Sequence, residues 1–243
     1  MSQRTAIGWT EATWNPVTGC SRVSPGCEHC YAEALSLRMG WSAKPWTQQN
    51  AAENVKLHPE RLAEPLRWRT PRRVFVNSMS DLFHEQIPDD FLDLVLDVMA
   101  RAPRHTFQVL TKRPGRMQAY LSARNFARTP LPNVWLGVSC EDQRRAEERI
   151  PLLRATPAAV RFLSCEPLLS PIQLDGLRDV HWVIIGGESG PSHRPMDIGW
   201  AEQIAQTCLV AGIPVYVKQD SGPRPGKQGR LSDALWSRKE FPA

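Results

Sequence analysis

Three of the six cysteines in this 243-residue chain, Cys20, Cys27 and Cys30, fall within the stretch "GCSRVSPGCEHCYAEALSLRM". The other three, Cys140, Cys165 and Cys208, stand alone, so the pattern is not a disulfide framework and the cluster reads as a metal site. A structural zinc site closes its shell with four ligands. His29 sits inside the C-E-H-C run, where ligation together with both neighbouring thiolates is awkward, and Cys140 or Cys165 would have to arrive from a distance. An iron–sulfur cluster normally takes four cysteines, so three leave one iron open to a small molecule. Ligand count favours a cluster over zinc.

The elements that must position these thiols are legible from residue 73 onward. Short runs rich in β-branched and aromatic residues, "RVFVNS", "TFQVLT", "NVWLGVS", "VRFLSCE", "HWVIIGG" and "PVYVKQ", alternate with segments of helical spacing. The runs are continuously apolar, as parallel strands buried on both faces are. In "PDDFLDLVLDVMARAP", Asp89 or Asp90 is the expected N-cap, and Gly212 is expected to close the helix "IGWAEQIAQTCLVAG". Adding a first strand near "EATWNPVT" and a first helix "YAEALSLRM" gives about seven strand–helix units. The predicted fold is α/β, a full or partial parallel β/α barrel forming one domain over residues 1–243. Residues 41–72 do not fit the repeat and read as a Trp-rich, basic insertion after the first helix, and residues 220–243 as a basic tail with a short terminal helix.

In such barrels chemistry sits at the C-terminal ends of the strands. Those ends are polar here: Asn77, Ser78, Ser80 and Asp81 follow the second strand, Thr111, Lys112 and Arg113 the third, and Cys140, Glu141 and Asp142 the fourth. Ser164, Cys165 and Glu166 end the fifth, Gly186, Gly187, Glu188 and Ser189 the sixth, and Lys218 and Gln219 the seventh. With the cysteine loop after the first strand, all of them face one mouth. Cys140 is a candidate catalytic thiol, with a buried core cysteine as its plain alternative. Lys112, Arg113 and Lys218 are candidates for binding a phosphate or carboxylate, against the alternative of solvated ion pairs, and Lys112 and Glu166 join Cys140 as candidate catalytic residues. Glu141, Glu166 and Glu188 are candidates for cofactor binding or proton transfer, against the alternative of helix capping or pairing with Arg144 or Arg194.

Thirty Lys and Arg against 25 Asp and Glu give a net charge of +5, which favours an anionic partner, and nucleic acid is the expectation the charge supports. The insertion with its tryptophans offers either base-stacking platforms or core residues. No run of 18 apolar residues and no apolar leader appears, so a cytoplasmic protein with no membrane partner is expected.

The order of "TWNPVTGC", "GCEHCYAE", "VFVNSMSDLFHE", "LTKRP", "VWLGVSCED", "FLSCEPLL", "IIGGESG" and "VYVKQ" resembles a phage-associated protein family with a three-Cys motif like that of radical S-adenosylmethionine enzymes. The resemblance spans most of residues 7 to 220. It implies that Cys20, Cys27 and Cys30 bind a [4Fe-4S] cluster whose open iron takes S-adenosylmethionine, with His29 contacting the adenine. It also implies an electron donor and makes a dedicated partner protein plausible. Two departures stand out. The first cysteine gap is six residues instead of three, and the "GGE" of Gly186, Gly187 and Glu188 follows the sixth strand instead of the second. The second strand offers Asn77, Ser78 and Ser80 in its place.

Overall fold

The computed structural model describes residues 5–124 and 128–242. In chain order the elements are β1 (Ala12–Trp14), β2 (Val17–Thr18), α1 (Tyr31–Arg38), α2 (Ala51–Asn54), β3 (Lys56–Leu57), β4 (Arg73–Val76), α3 (Asp89–Arg101) and β5 (Thr106–Thr111). Then follow α4 (Pro114–Ser122), β6 (Val134–Ser139), α5 (Gln143–Ala155), β7 (Val160–Cys165), β8 (Trp182–Gly186), α6 (Ile198–Val210), β9 (Val215–Gln219) and α7 (Asp233–Trp236). Seven strands form one sheet in the order β1-β4-β5-β6-β7-β8-β9, and every neighbouring pair is parallel. The short β2 and β3 pair antiparallel beside it.

Strands laid down in sequence order, all in one sense and joined by helices except between β7 and β8, where residues 166–181 form a loop, make the arrangement of a partial β/α barrel, with β1 and β9 as the sheet's outer strands. The sheet is curled. Trp9 meets Phe75 of β4 with ring centroids 4.6 Å apart and Trp182 of β8 at 6.2 Å. In a flat sheet four strand steps would separate those two partners by about 19 Å. Alternation along each strand then sorts the side chains. Val183 and Ile185 join the large core beneath the helices, while Trp182 and Ile184 join Trp9, Phe75, Phe162 and Tyr216 on the concave side.

Both chain ends brace the open side. A Cβ at Gly8 would lie 2.4 Å from the Tyr216 hydroxyl of β9, so residues before β1 run against the far edge of the sheet. Arg73 of β4 stacks over Phe241 at 4.0 Å, and Phe241 packs on Trp182 and Tyr216. The tail is therefore packed, not loose; Leu231 and Leu235 are buried in the main core.

Of three sequence expectations one shifts, one holds and one open alternative is decided. Pro88 is the N-cap of α3, and Asp89 and Asp90 lie in its first turn, where carboxylates favour the helix dipole. Gly212 does follow α6 in the left-handed region, at φ +69. Within the insertion, Trp46 and Trp68 are buried and only Trp41 is exposed, so two of its three tryptophans are core residues and not stacking platforms. Trp68 packs edge-on against His105, which precedes β5 at the end of the sheet away from the cysteines. No helix among the described residues is long and apolar enough to cross a membrane.

Candidate functional site

The cysteine loop runs from β2 to α1. Its start requires glycine: Gly19 has φ +83, and a Cβ there would lie 1.9 Å from the Asn54 carbonyl oxygen. Cys27 ends a single 3-10 turn, Pro25–Cys27, and Cys30 is the N-cap residue of α1. The loop is laced from three directions. Arg22 donates twice to Glu33 at 2.8 Å, and Glu33 also accepts from the Trp46 backbone N–H, tying the insertion to α1. Glu141, paired with Arg149 at 2.9 Å, accepts from the Gly26 N–H.

The third anchor is a buried polar cluster. Ser21 Oγ donates to Gln48 and accepts from Arg113 at 2.9 Å. It also meets His84 Nε2 at 2.9 Å, and because His84 Nδ1 accepts the Gln86 N–H, the Nε2 side is the donor. Asp81 is close by, taking the Thr111 hydroxyl and the Phe83 and Lys112 N–H groups.

Cys20, Cys27 and Cys30 line one cavity of about 150 Å³ together with Asn77, Lys112 and Ser139. A second cavity of about 150 Å³ shares Cys30, Tyr31, Lys112 and Ser139 with it and is floored by Trp9, Phe75 and Leu110. Glu166, Lys218, His29 and Glu188 complete its walls. A groove of about 530 Å³ continues outward from His29 and Tyr31 to Leu37 and Arg38 of α1, with residues 189–193 as its opposite wall. The thiols thus sit at the C-terminal mouth of the sheet.

Burial pushes the Cys20 thiol up to about 12 and raises Cys30 as well. Burial alone would lower Lys112, but Cys27, Glu141 and Cys30 hold it above the usual lysine range. Its ammonium donates to Ser139 at 3.2 Å and has no carboxylate partner among the described residues. Asn77 is the most exceptional residue. It is 2% exposed, has φ +60, and neither its Nδ2 nor its Oδ1 has a hydrogen-bond partner. A buried amide left unpaired in a strained backbone position is costly, and such groups concentrate where a ligand binds.

Other expected site residues are engaged by the protein itself. Glu188 takes His29 Nδ1 at 2.9 Å and four donations, counting His29, from His29 and Arg194; burial pushes its carboxyl up, but these bonds outweigh it and bring it to about 2. Ser78 Oγ donates to Asn15. Glu166 and Lys218 form an ion pair beside Gly186. Gly187 admits the backbone of Ser221, which a Cβ would approach to 2.2 Å. Cys140 is fully buried in the core on the helix side and lines neither cavity, because Ser139 takes the concave position on β6. Glu141 braces the loop from behind.

Three soft thiols on one cavity beside an unpaired ammonium fit an iron–sulfur cluster, whose thiolate-ligated core is anionic. Among the described residues, no group of three or more His, Cys, Asp or Glu forms a ready site for a metal ion. A family model described as "Protein of unknown function (DUF5131)" matches residues 4–235. The chain belongs to that family. No curated protein and no solved structure matches it. For a DUF5131 chain the cavities and their lining therefore carry the functional argument. Ser21 and His84 are site-supporting residues that sequence reasoning missed, since nothing in "CSR" or "FHEQ" marks them as neighbours; Arg113, expected at the mouth, is engaged there by Ser21 and Glu85.

Proposed function

We propose that the chain is a radical S-adenosylmethionine-type iron–sulfur enzyme, as its resemblance to the phage-associated three-Cys-motif family implies. The observation that carries this reading is Asn77: a buried amide with a free donor and a free acceptor, in the cavity that holds all three clustered thiols. Such a site suits a ligand with both amino and carboxylate groups bound next to a cluster with one open iron. When bound, the cluster and S-adenosylmethionine would supply a 5′-deoxyadenosyl radical by one-electron reductive cleavage of the C5′–S bond.

The chain's own residues define the rest. Cys20, Cys27 and Cys30 are the thiolate ligands. Lys112 offsets negative charge between the two inner cavities, and its hydrogen bond to Ser139 fixes where that charge is felt. Trp9, Phe75 and Leu110 exclude water from the floor of the second cavity, which protects a reactive intermediate from side reactions. Glu188 holds one nitrogen of His29, leaving the other free for a ligand. Glu166 and Lys218 provide an acid–base pair at the cavity wall. The reading calls for a one-electron donor and a reducing compartment such as the cytoplasm, in which free thiols persist.

Anaerobic reconstitution with iron and sulfide, followed by EPR of the reduced protein with and without S-adenosylmethionine and an assay for 5′-deoxyadenosine, tests it. The expected result is a [4Fe-4S] signal that changes with the cofactor and 5′-deoxyadenosine formed. Bound zinc, or a cluster that ignores S-adenosylmethionine, overturns the enzyme reading and leaves a non-catalytic metalloprotein.

A further inference from the structure

Among the described residues, the exposed large apolar side chains are unevenly placed. Tyr31, Leu37, Met39 and Trp41 lie on or just after α1, the helix that leads outward from Cys30, and Val23 lies in the cysteine loop before it. Two of them are aromatic. Tyr31 is 49% exposed, yet its hydroxyl donates to the Ser78 carbonyl at 2.7 Å, so the ring is held in place at the junction of all three cavities. Trp41 is 43% exposed at the far end of the helix, where its carbonyl accepts the Lys56 ammonium. A held aromatic ring offers contact area without a further loss of side-chain entropy.

Charge decides what those rings face. The carboxylates of the mouth are already paired: Glu28 and Glu188 with Arg194, Glu33 with Arg22, and Glu166 with Lys218. Asp81 is satisfied by Thr111 and two backbone N–H groups. Several cations keep no carboxylate partner among the described residues. Arg38 lines the groove and Lys112 the inner cavities. Arg224 and Lys227 stand on the loop after β9, which bridges through Gly222 to Ser189 on the groove's other wall. Cations without a carboxylate partner therefore stand on the α1 wall of the groove and on the loop joined to its opposite wall, with Tyr31 at the junction of the cavities and Trp41 just past the end of α1.

We propose that this mouth binds single-stranded nucleic acid. Phosphates lie on Arg38, Lys56, Arg224 and Lys227, bases stack on Trp41 and Tyr31, and one base enters the inner cavity between Tyr31 and Trp9. An aromatic platform needs an unpaired base face, which a duplex hides in its own stack, so the single strand is the form that fits. The consequence for chemistry, a nucleobase or its sugar as the radical's target, rests on the enzyme reading above; the binding does not, because none of these contacts requires a cluster.

The test is fluorescence anisotropy of the full-length protein with labelled oligothymidine, oligouridine and a mixed-sequence duplex, across a salt series. Single strands are expected to bind more tightly than duplex, with affinity falling linearly in log salt. Trp41→Ala is expected to weaken binding about ten-fold. Arg38→Glu combined with Lys227→Glu is expected to flatten the salt dependence, while Arg67→Glu, beside the buried Trp68 at the opposite end, leaves it unchanged. Melting by circular dichroism confirms that each variant is folded. Duplex preference, competition by a free mononucleotide as strong as by the oligomer, or an unchanged affinity in Trp41→Ala overturns the proposal. Iron-free protein is expected to bind equally well, so failure of S-adenosylmethionine cleavage with binding retained removes the catalytic reading alone.

Discussion

On the concave side of the sheet, Phe75, Trp135, Phe162, Trp182 and Tyr216 pack ring against ring towards the N-terminal ends of the strands. One or two alternations further along those strands, the same face presents Asn77, Ser139, Ser164, Glu166 and Lys218 to the cavities. The lower layer is apolar and held by ring contacts. The upper layer holds an unpaired amide, an unpaired ammonium and three thiols. A strand two residues longer than its core needs delivers chemistry on the same face that elsewhere delivers stability, because side-chain period in a strand is two. Substitutions in the two layers should therefore separate function from stability.

The largest separation is at the thiols. Replacing any one of Cys20, Cys27 and Cys30 by alanine is expected to abolish cluster binding while leaving the thermal midpoint close to that of the parent protein. Cys208→Ala, on the buried face of α6, should do the reverse: full iron and sulfide content with a lowered midpoint. Iron and sulfide analysis beside a melting curve reads both. A full cluster in all three single mutants would end the ligand assignment.

Next is the aromatic layer. Trp182 is fully buried and meets Trp9, Trp135, Phe162, Tyr216 and Phe241, so Trp182→Ala is expected to cost about 3–5 kcal/mol. Lys112→Met should cost far less, since the ammonium it removes has one hydrogen bond, to Ser139, and no carboxylate partner, yet it should weaken binding of anionic ligands. Urea unfolding of the two variants, with equal losses, would show that the layers are not distinct.

The buried His84 sets a pH limit on the upper layer. Burial and the Arg113 guanidinium, with Arg116 adding, outweigh Glu85 and Asp81 and lower the imidazole from 6.5 to about 4. Between those values the unfolded chain binds the extra proton and the folded chain does not, so stability falls as pH drops from about 6.5 to about 4. The loss is bounded at about 3 kcal/mol. His84→Gln should flatten this window in urea titrations at several pH values. An unchanged slope would remove His84 as its cause.

These comparisons also show what the sequence could carry. Six of the seven sheet strands were legible as continuous apolar runs, and the cysteine loop was placed correctly at the start of α1. That continuity, however, concealed which face each residue takes. With apolar residues at odd and even positions alike, nothing in "VWLGVSCED" told that Ser139 points to the cavity and Cys140 to the helices. The anchors were illegible for a different reason. Ser21 and His84 are 63 positions apart, Gly26 and Glu141 115, and His29 and Glu188 159, so only the closed topology brings them together. Composition left the insertion open between stacking platforms and core tryptophans, and it could not tell that Trp46 locks the cysteine loop and Trp68 the opposite end.

The smallest effect is the sharpest discriminator between the layers. Asn77→Gly keeps the backbone N–H bond to the Trp14 carbonyl and removes both the left-handed strain and the unpaired amide. Against this stand the added freedom of glycine in the unfolded chain and the lost side-chain contacts. The balance is expected to favour the variant by about 1 kcal/mol. Ligand affinity at the cysteine cavity should fall at the same time. A rise in midpoint with a loss of binding identifies Asn77 as a group held at the expense of stability for a ligand. A fall in midpoint would mean that the amide is satisfied by ordered water, and the cavity would lose the feature that marks it as a cofactor site.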